Sequence, residues 1–359
     1  MGIYLNSRTA YTLYKSETEK PYFVDKSRML EELFPLVKTG NNHICITRPR
    51  RFGKTVMANM IASFFSKAYD AQDIFQGLQI ANIVDYEKYR NQFSVIHISF
   101  NELGGRCTSY AQYIERIEKR LMKDLKKEYP EADIDEEESA AEILLELYAE
   151  NDTAQFVFVL DEWDFIFHQS FITENDKREY LMFLRNLLKD RPYVLLAYMT
   201  GILPIAKYSS GSELNMFSEF TLATEERFSE YFGFTEEEVA SLCEEYKMDG
   251  EEVKCWYDGY SFDKVPAVYS PRSVVSCMRF GKIGNYWNQT ETFEALKIYI
   301  DMNFDGLRED VLSMMAGESV PVNTGSFIND MATFRTEDDV LTLLIHLGYL
   351  AYDLSLIHI

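Results

Sequence analysis

Residues 46–55 read ITRPRRFGKT, and the closing Gly53-Lys54-Thr55 is how a loop that grips phosphate ends. In such a loop glycine lets backbone N–H groups approach the phosphates. The lysine reaches the β- and γ-phosphates, and the hydroxyl ligates Mg²⁺. The full pattern, G-x-x-x-x-G-K-[ST], wants a glycine five places before Gly53, where this chain has Arg48. Pro49, Arg50, Arg51 and Phe52 fill the rest of the turn. GKT alone is common by chance, and a basic turn that happens to contain it is the competing reading.

The second group is FVFVLDEWD, residues 156–164. A hydrophobic strand ending in Asp161 puts a carboxylate at the C-terminal edge of a sheet, where α/β proteins bind ligands. Asp161 would hold Mg²⁺ and Glu162 would orient and deprotonate an attacking water. A strand that simply ends in solvated acids is the bland alternative. The two groups occur in the order, and with the separation, that a nucleotide site requires. The third group is weaker: YVLLAYMTG (193–201) ends in Thr200, which is placed to sense a γ-phosphate or to make an ordinary strand-end turn. Arg185 and Arg227 read better as surface ion-pairing residues than as phosphate contacts.

These groups need particular elements beneath them. HICIT (43–47) reads as a strand and GKTVMANMIASFFSKAY as a helix, so the loop lies between strand and helix, as phosphate binding demands. FSVIHISF (93–100), QFVFVLDEWD (155–164) and YVLLAYMTG (193–201) are further strands, and EFTLA (219–223) a short fifth. Helices are expected over 109–128, 137–150 and 177–190. Asp25 or Ser27 is expected to cap a helix whose apolar stripe runs from Met29 to Val37. Alternating strands and helices imply a mostly parallel sheet with helices on both faces. Beyond residue 223 the pattern turns mainly helical around an irregular aromatic centre, CWYDGYSFDKVPAVYSPRSV (255–274).

Composition narrows the partners. The 359 residues carry 36 basic and 58 acidic side chains, net −22, which makes nucleic acid an improbable ligand and gives no attraction to anionic membranes. The acidic runs DIDEEES (133–139) and TEEEVASLCEEY (235–246) read as solvated helix starts and faces. Against that background the arginines of residues 48–54 stand out. The five cysteines are scattered without C-x-x-C spacing, arguing against a zinc site or disulfide framework and for a cytoplasmic setting. His43, His97, His168, His346 and His358 lack metal-ligand spacing, and His43 and His97 read as strand residues of the core or edge. No apolar run has membrane-spanning length.

With these residues in hand, the chain resembles the predicted AAA-ATPase-like family of bacteria and archaea. The resemblance rests on PYFVDKS (21–27), ITRPRRFGKT (46–55), FQGLQI (75–80), VLDEWD (159–164), MTGILPIAK (199–207), YFGFTEEEV (231–239), WYDGYSF (256–262) and VYSPRSV (268–274). It covers nearly the whole chain, and RPRRFGKT is its most specific part. It implies that the arginine-rich loop is usual, that Lys54 and Thr55 match the Walker-A pair, and that Asp161 and Glu162 match the Walker-B pair. Relatives commonly have DEYD where this chain has DEWD. The resemblance also implies a C-terminal PD-(D/E)xK nuclease-like domain, which these residues lack. The last six residues, LSLIHI, resemble a translated sequencing adapter, so 354–359 is expected to be a non-native tail.

The resulting expectation is an additional-strand P-loop NTPase domain over 1–222, with sheet order 5-1-4-3-2. A mainly helical lid or linker region would follow over 223–353. ATP and Mg²⁺ are the expected cofactors. Residues 48–55 would form the nucleotide cradle, Thr55 and Asp161 the metal site, and Glu162, Lys54 and Thr200 the catalytic set. A protein partner or self-association is compatible with this reading. The rival is a nucleotide-gated switch or scaffold that hydrolyses little or nothing. Whether Arg48, Arg50 and Arg51 touch phosphate or face another partner stays open at this level.

Overall fold

The computed structural model describes residues 1–102, 107–135, 137–205, 208, 213–221, 227–262, 265–286, 306–325 and 336–353. The expected tail at 354–359 lies outside them. The chain divides into two compact units. Met1–Ile46, Lys54–Gly201 and Gly211–Glu219 make the first; Thr47–Gly53, Ile202–Ser210 and Phe220–Ile359 make the second.

The first unit is built on a sheet of β1 (His43–Thr47), β2 (Ser94–Ser99), β3 (Phe156–Asp161), β4 (Val194–Gly201) and β5 (Ser218–Phe220). They lie in the order β2-β3-β4-β1-β5. Every residue of β1, β3 and β4 is buried, which is why these strands read as unbroken apolar runs rather than alternating ones. β3 pairs in parallel with β2 and with β4, and the register sets Ser99 beside Asp161. Parallel pairing brings the C-terminal ends of these strands to one edge, so residues that follow them share a neighbourhood.

Helices α1 (Arg8–Thr18), α2 (Met29–Leu33), α3 (Lys54–Phe65), α4 (Gln72–Phe75), α5 (Tyr86–Tyr89), α6 (Tyr110–Glu128), α7 (Ala140–Glu150) and α8 (Glu174–Leu188) complete the first unit. Helix α3 packs against β2, β3 and β4, and α1 packs on α3. Side-chain caps start the long helices: Ser109 for α6, and full capping boxes at Ser139/Glu142 for α7 and Thr173/Asp176 for α8. The α2 helix is shorter than its apolar stripe predicts, because Pro35 turns its end into a 3₁₀ segment. Asp25 and Ser27 do not cap it. Their side chains accept from the backbone N–H groups of Gln79 and Ile80 instead, at 2.7 and 3.1 Å.

Among its described residues the second unit carries a small sheet beside its helices. Four short strands, β6 (Phe234–Thr235), β7 (Asp258–Ser261), β8 (Val268–Tyr269) and β9 (Tyr352–Asp353), form a small sheet in the order β6-β8-β7-β9. Strands of two to four residues are too short to imprint a period of two on the sequence. The aromatic segment expected to be irregular supplies β7 and β8. Around the sheet run α9 (Glu236–Tyr246), α10 (Gly250–Tyr257), α11 (Pro271–Phe280) and the helices Leu307–Met315 and Glu337–Leu347. The acidic run at 235–246 does start a helix: Thr235 and Glu238 form its capping box, with three glutamates in the first turn.

The N-terminal residues cover the free side of β2. Leu5 bridges Ile96 antiparallel, the His97 N–H donates to the Tyr4 carbonyl at 2.9 Å, and the Asn6 N–H to that of Val95 at 2.7 Å. Asp124 of α6, itself buried, holds this segment by accepting from the Tyr4 and Leu5 amides at 2.7 and 3.1 Å. Asp124→Ala is expected to lower unfolding free energy by about 2 kcal/mol, since two buried amides lose a charged acceptor. Urea unfolding would measure it, with Asp124→Asn losing less.

Candidate active site

The acids stand where the strand pattern places them. Asp161 ends β3 and is fully buried. Its Oδ1 accepts from the Thr200 hydroxyl, at the end of β4, at 2.7 Å, while its Oδ2 is buried without a hydrogen-bond partner among the described residues. A buried carboxylate oxygen left without a donor costs free energy unless something cationic meets it. The donor chemistry therefore fits a hard cation such as Mg²⁺ at Asp161. Thr200 acts twice, because its oxygen also accepts from the Glu162 N–H at 3.4 Å.

Glu162 has a positive φ of 52°, unusual for a residue with a side chain. Backbone held in this region persists only where the surroundings impose it, and such positions gather at active sites. The side chain is half-buried. Burial foremost, and then the negative charge of Asp161, push its carboxyl above the ordinary 4.5; the Asn101 side chain and the Lys54 charge act the other way. Asn101, just beyond β2, lies near enough to the Glu162 carboxyl to favour its charged form, and accepts from the Ser99 hydroxyl at 2.9 Å. Nothing in the local sequence marks Asn101; only the parallel register, with Ser99 opposite Asp161, makes it a neighbour.

His97 lies on β2 two residues before Ser99, and its Nε2 is buried without a hydrogen-bond partner among the described residues. Burial lowers its basicity, and Asp161 opposes that shift. It is a strand histidine, as the sequence suggests, but one whose electrostatics include the carboxylate.

Lys54 opens α3 and is buried; Thr55 follows it and is exposed. The preceding turn carries two left-handed residues, Arg51 at φ 68° and Gly53 at φ 86°. At Gly53 the surrounding space is open, so the requirement for glycine comes from the backbone angle and not from crowding.

Residues 47–53 belong to the second unit, and two of them are fixed in it. Arg48 is 1% exposed: its Nη1 donates to the carbonyls of Thr47 and Phe220 at 2.8 and 2.9 Å, and its guanidinium lies 5.5 Å from the Phe232 ring centre. A glycine at this position could make none of these contacts. Phe52 is equally buried, in a cluster with Tyr260, Phe262, Val268, Ile345 and Tyr352, its ring edge-on to Tyr260. Arg50 and Arg51 are not buried. Arg227 spreads over the rings of Phe220 and Phe228 at 5.8 and 5.1 Å.

Paired acids at the C-terminal edge of a parallel sheet, with a lysine-headed helix packed against that sheet, belong to an α/β fold. The chain belongs to the predicted AAA-ATPase family, whose sequence profile matches residues 13–210. It is also 28% identical over 284 residues to the "Uncharacterized protein in vnfD 5'region" of Azotobacter chroococcum mcd 1. That match takes in 77% of this chain and 52% of the relative, so the chain spans about half the length of the protein it matches. Among the described residues no helix is long and apolar enough to cross a membrane, and all five cysteines are free thiols.

Thr200→Val tests the strand-end geometry directly. It removes the donor to Asp161 Oδ1 and the acceptor for the Glu162 amide together. Stability should fall by about 1–3 kcal/mol. Thr200→Ser, which keeps the hydroxyl, should lose much less in the same thermal unfolding experiment.

Proposed function

We infer that this chain binds ATP with Mg²⁺ and hydrolyses it to ADP and phosphate. The observation that carries the reading is the buried Asp161 carboxylate, with one oxygen held by Thr200 and the other unpartnered among the described residues. Membership of a predicted ATPase family supports it.

In this reading Lys54 neutralises charge on the β- and γ-phosphates. The backbone N–H groups of Pro49-Arg50-Arg51-Phe52-Gly53, proline excepted, cradle the phosphates as the chain enters α3. Thr55 and Asp161 would hold Mg²⁺, which supplies charge stabilisation as the phosphoanhydride breaks. Glu162 takes a proton from the attacking water, and its raised basicity suits that task better than an ordinary carboxylate would. Thr200 fixes the Asp161 oxygen and the Glu162 amide, and so holds the metal ligand and the base in one register. Arg48 is given a structural role, because its guanidinium is already committed to backbone carbonyls and a ring. Arg50 and Arg51 remain the loop arginines that could meet phosphate or a partner in trans.

A cytoplasmic setting and coupling of this hydrolysis to a nuclease-like domain are proposed from the family resemblance alone. The competing reading, a nucleotide-gated switch, has the same binding residues but no need of Glu162.

Steady-state phosphate release with Mg-ATP separates the two. Glu162→Gln should retain ATP binding and lose about a hundredfold or more in kcat; equal rates in wild type and variant would favour the switch. The pH profile adds a second check. The base must be deprotonated, and its carboxyl titrates above 4.5, so kcat should rise with pH along an acidic limb lying above that value. That limb should vanish in the variant.

A further inference from the structure

Glu162 does not hold its left-handed conformation by itself. The following residue, Trp163, is fully buried, and its N–H donates to the Thr200 carbonyl at 3.0 Å. The Trp163 carbonyl accepts from the Tyr180 hydroxyl at 2.7 Å, and Tyr180 is also fully buried, on α8. Burial pushes that phenol well above its ordinary pKa, so it stays a proton donor across the working range. The rings close on one another: Phe167 packs edge-on against both Trp163 and Tyr180, at 5.6 Å in each case, and Phe100 against Tyr180 at 5.7 Å. Phe100 is itself tied to the strand end, its N–H donating to the Asp161 carbonyl at 3.0 Å.

The other wall is Gly201. A Cβ there would come within 2.5 Å of Trp163 Nε1 and 2.7 Å of its Cδ1. The indole thus occupies the space that any side chain at the end of β4 would need. Trp163 is held by the edge-on ring of Phe167, by the close approach of Gly201, and along its backbone by two hydrogen bonds. The residue gripped is the one directly after the strained Glu162.

We propose that Tyr180, Trp163 and Gly201 form a clamp that positions Glu162 for its role as base, with Tyr180 acting through the Trp163 carbonyl. None of the three is a catalytic residue; each is a positioning residue. The proposal rests on the hydrolytic reading for its kinetic consequence, while its structural content stands apart from it. Loosening the clamp lets Glu162 leave the left-handed conformation and move toward water.

The test uses the full chain with Tyr180→Phe, which deletes one hydroxyl and keeps the ring, and with Gly201→Ala, which displaces the indole. Both are read by the kcat and KM of ATP turnover and by hydrogen exchange of the peptide spanning 160–165. Tyr180→Phe is expected to lower kcat about tenfold and leave KM for ATP within about twofold. Gly201→Ala should lower kcat further. Amide exchange across the turn should speed up in both, while exchange in the α6 and α7 peptides stays at the wild-type rate. A purely structural role for Tyr180 would lower the unfolding midpoint while leaving kcat at the wild-type value, and that result would overturn the proposal. So would unchanged exchange at 160–165 in both variants. A wild-type protein that binds ATP without turnover removes the hydrolytic reading, and the exchange measurement then decides the clamp by itself.

Discussion

The structure turns on one buried carboxylate. Asp161 is fully enclosed at the end of β3, and a charge in that position is tolerable only if every partner around it is arranged for it. Thr200 satisfies one oxygen, and it can do so because β4 runs parallel to β3 and ends beside it. The same hydroxyl takes the Glu162 amide, Ser99 stands opposite in register, and Asn101 reaches Glu162 from just beyond β2. Three strand ends therefore converge on two acids. The sheet's parallel topology is what makes their convergence possible, since antiparallel neighbours would bring opposite strand ends together.

Most of this was legible in the sequence because the parallel strands are buried on both faces. Unbroken runs such as FVFVL and VLLAYM announce themselves, and a polar residue ending such a run is conspicuous. Asp161, Glu162 and Thr200 were visible for that reason. Asn101 was not, because its relevance comes from pairing between β2 and β3 and not from its neighbours in the chain. Tyr180 was not either, because its tie to the Trp163 carbonyl is made across the fold and not along the helix. The small sheet of the second unit was hidden too, since its strands contribute only two to four residues each.

The arginine in place of a glycine has a physical account that sequence reasoning could not supply. Its acceptor at Phe220 lies 172 residues away, and the ring beneath it, Phe232, is further still. Arg48 and Phe52 are core residues of the second unit, whereas Lys54 begins a helix of the first. A glycine-rich loop gains its shape from conformational freedom at each glycine. Here only Gly53 keeps that freedom, and buried side chains shape the rest of the turn. The motifs WYDGYSF and VYSPRSV then acquire a role: they supply Tyr260, Phe262 and Val268 to the cluster that receives Phe52.

The central claim is that the turn ending in Lys54 takes the phosphates of a nucleotide. Calorimetric titration of ATP in the presence of Mg²⁺ into wild-type protein and Lys54→Ala tests it most directly. The account predicts saturable binding to the wild type and a loss of at least about a hundredfold in affinity, some 2.7 kcal/mol or more, for a variant whose unfolding midpoint is preserved. Equal affinity in the two proteins would contradict it.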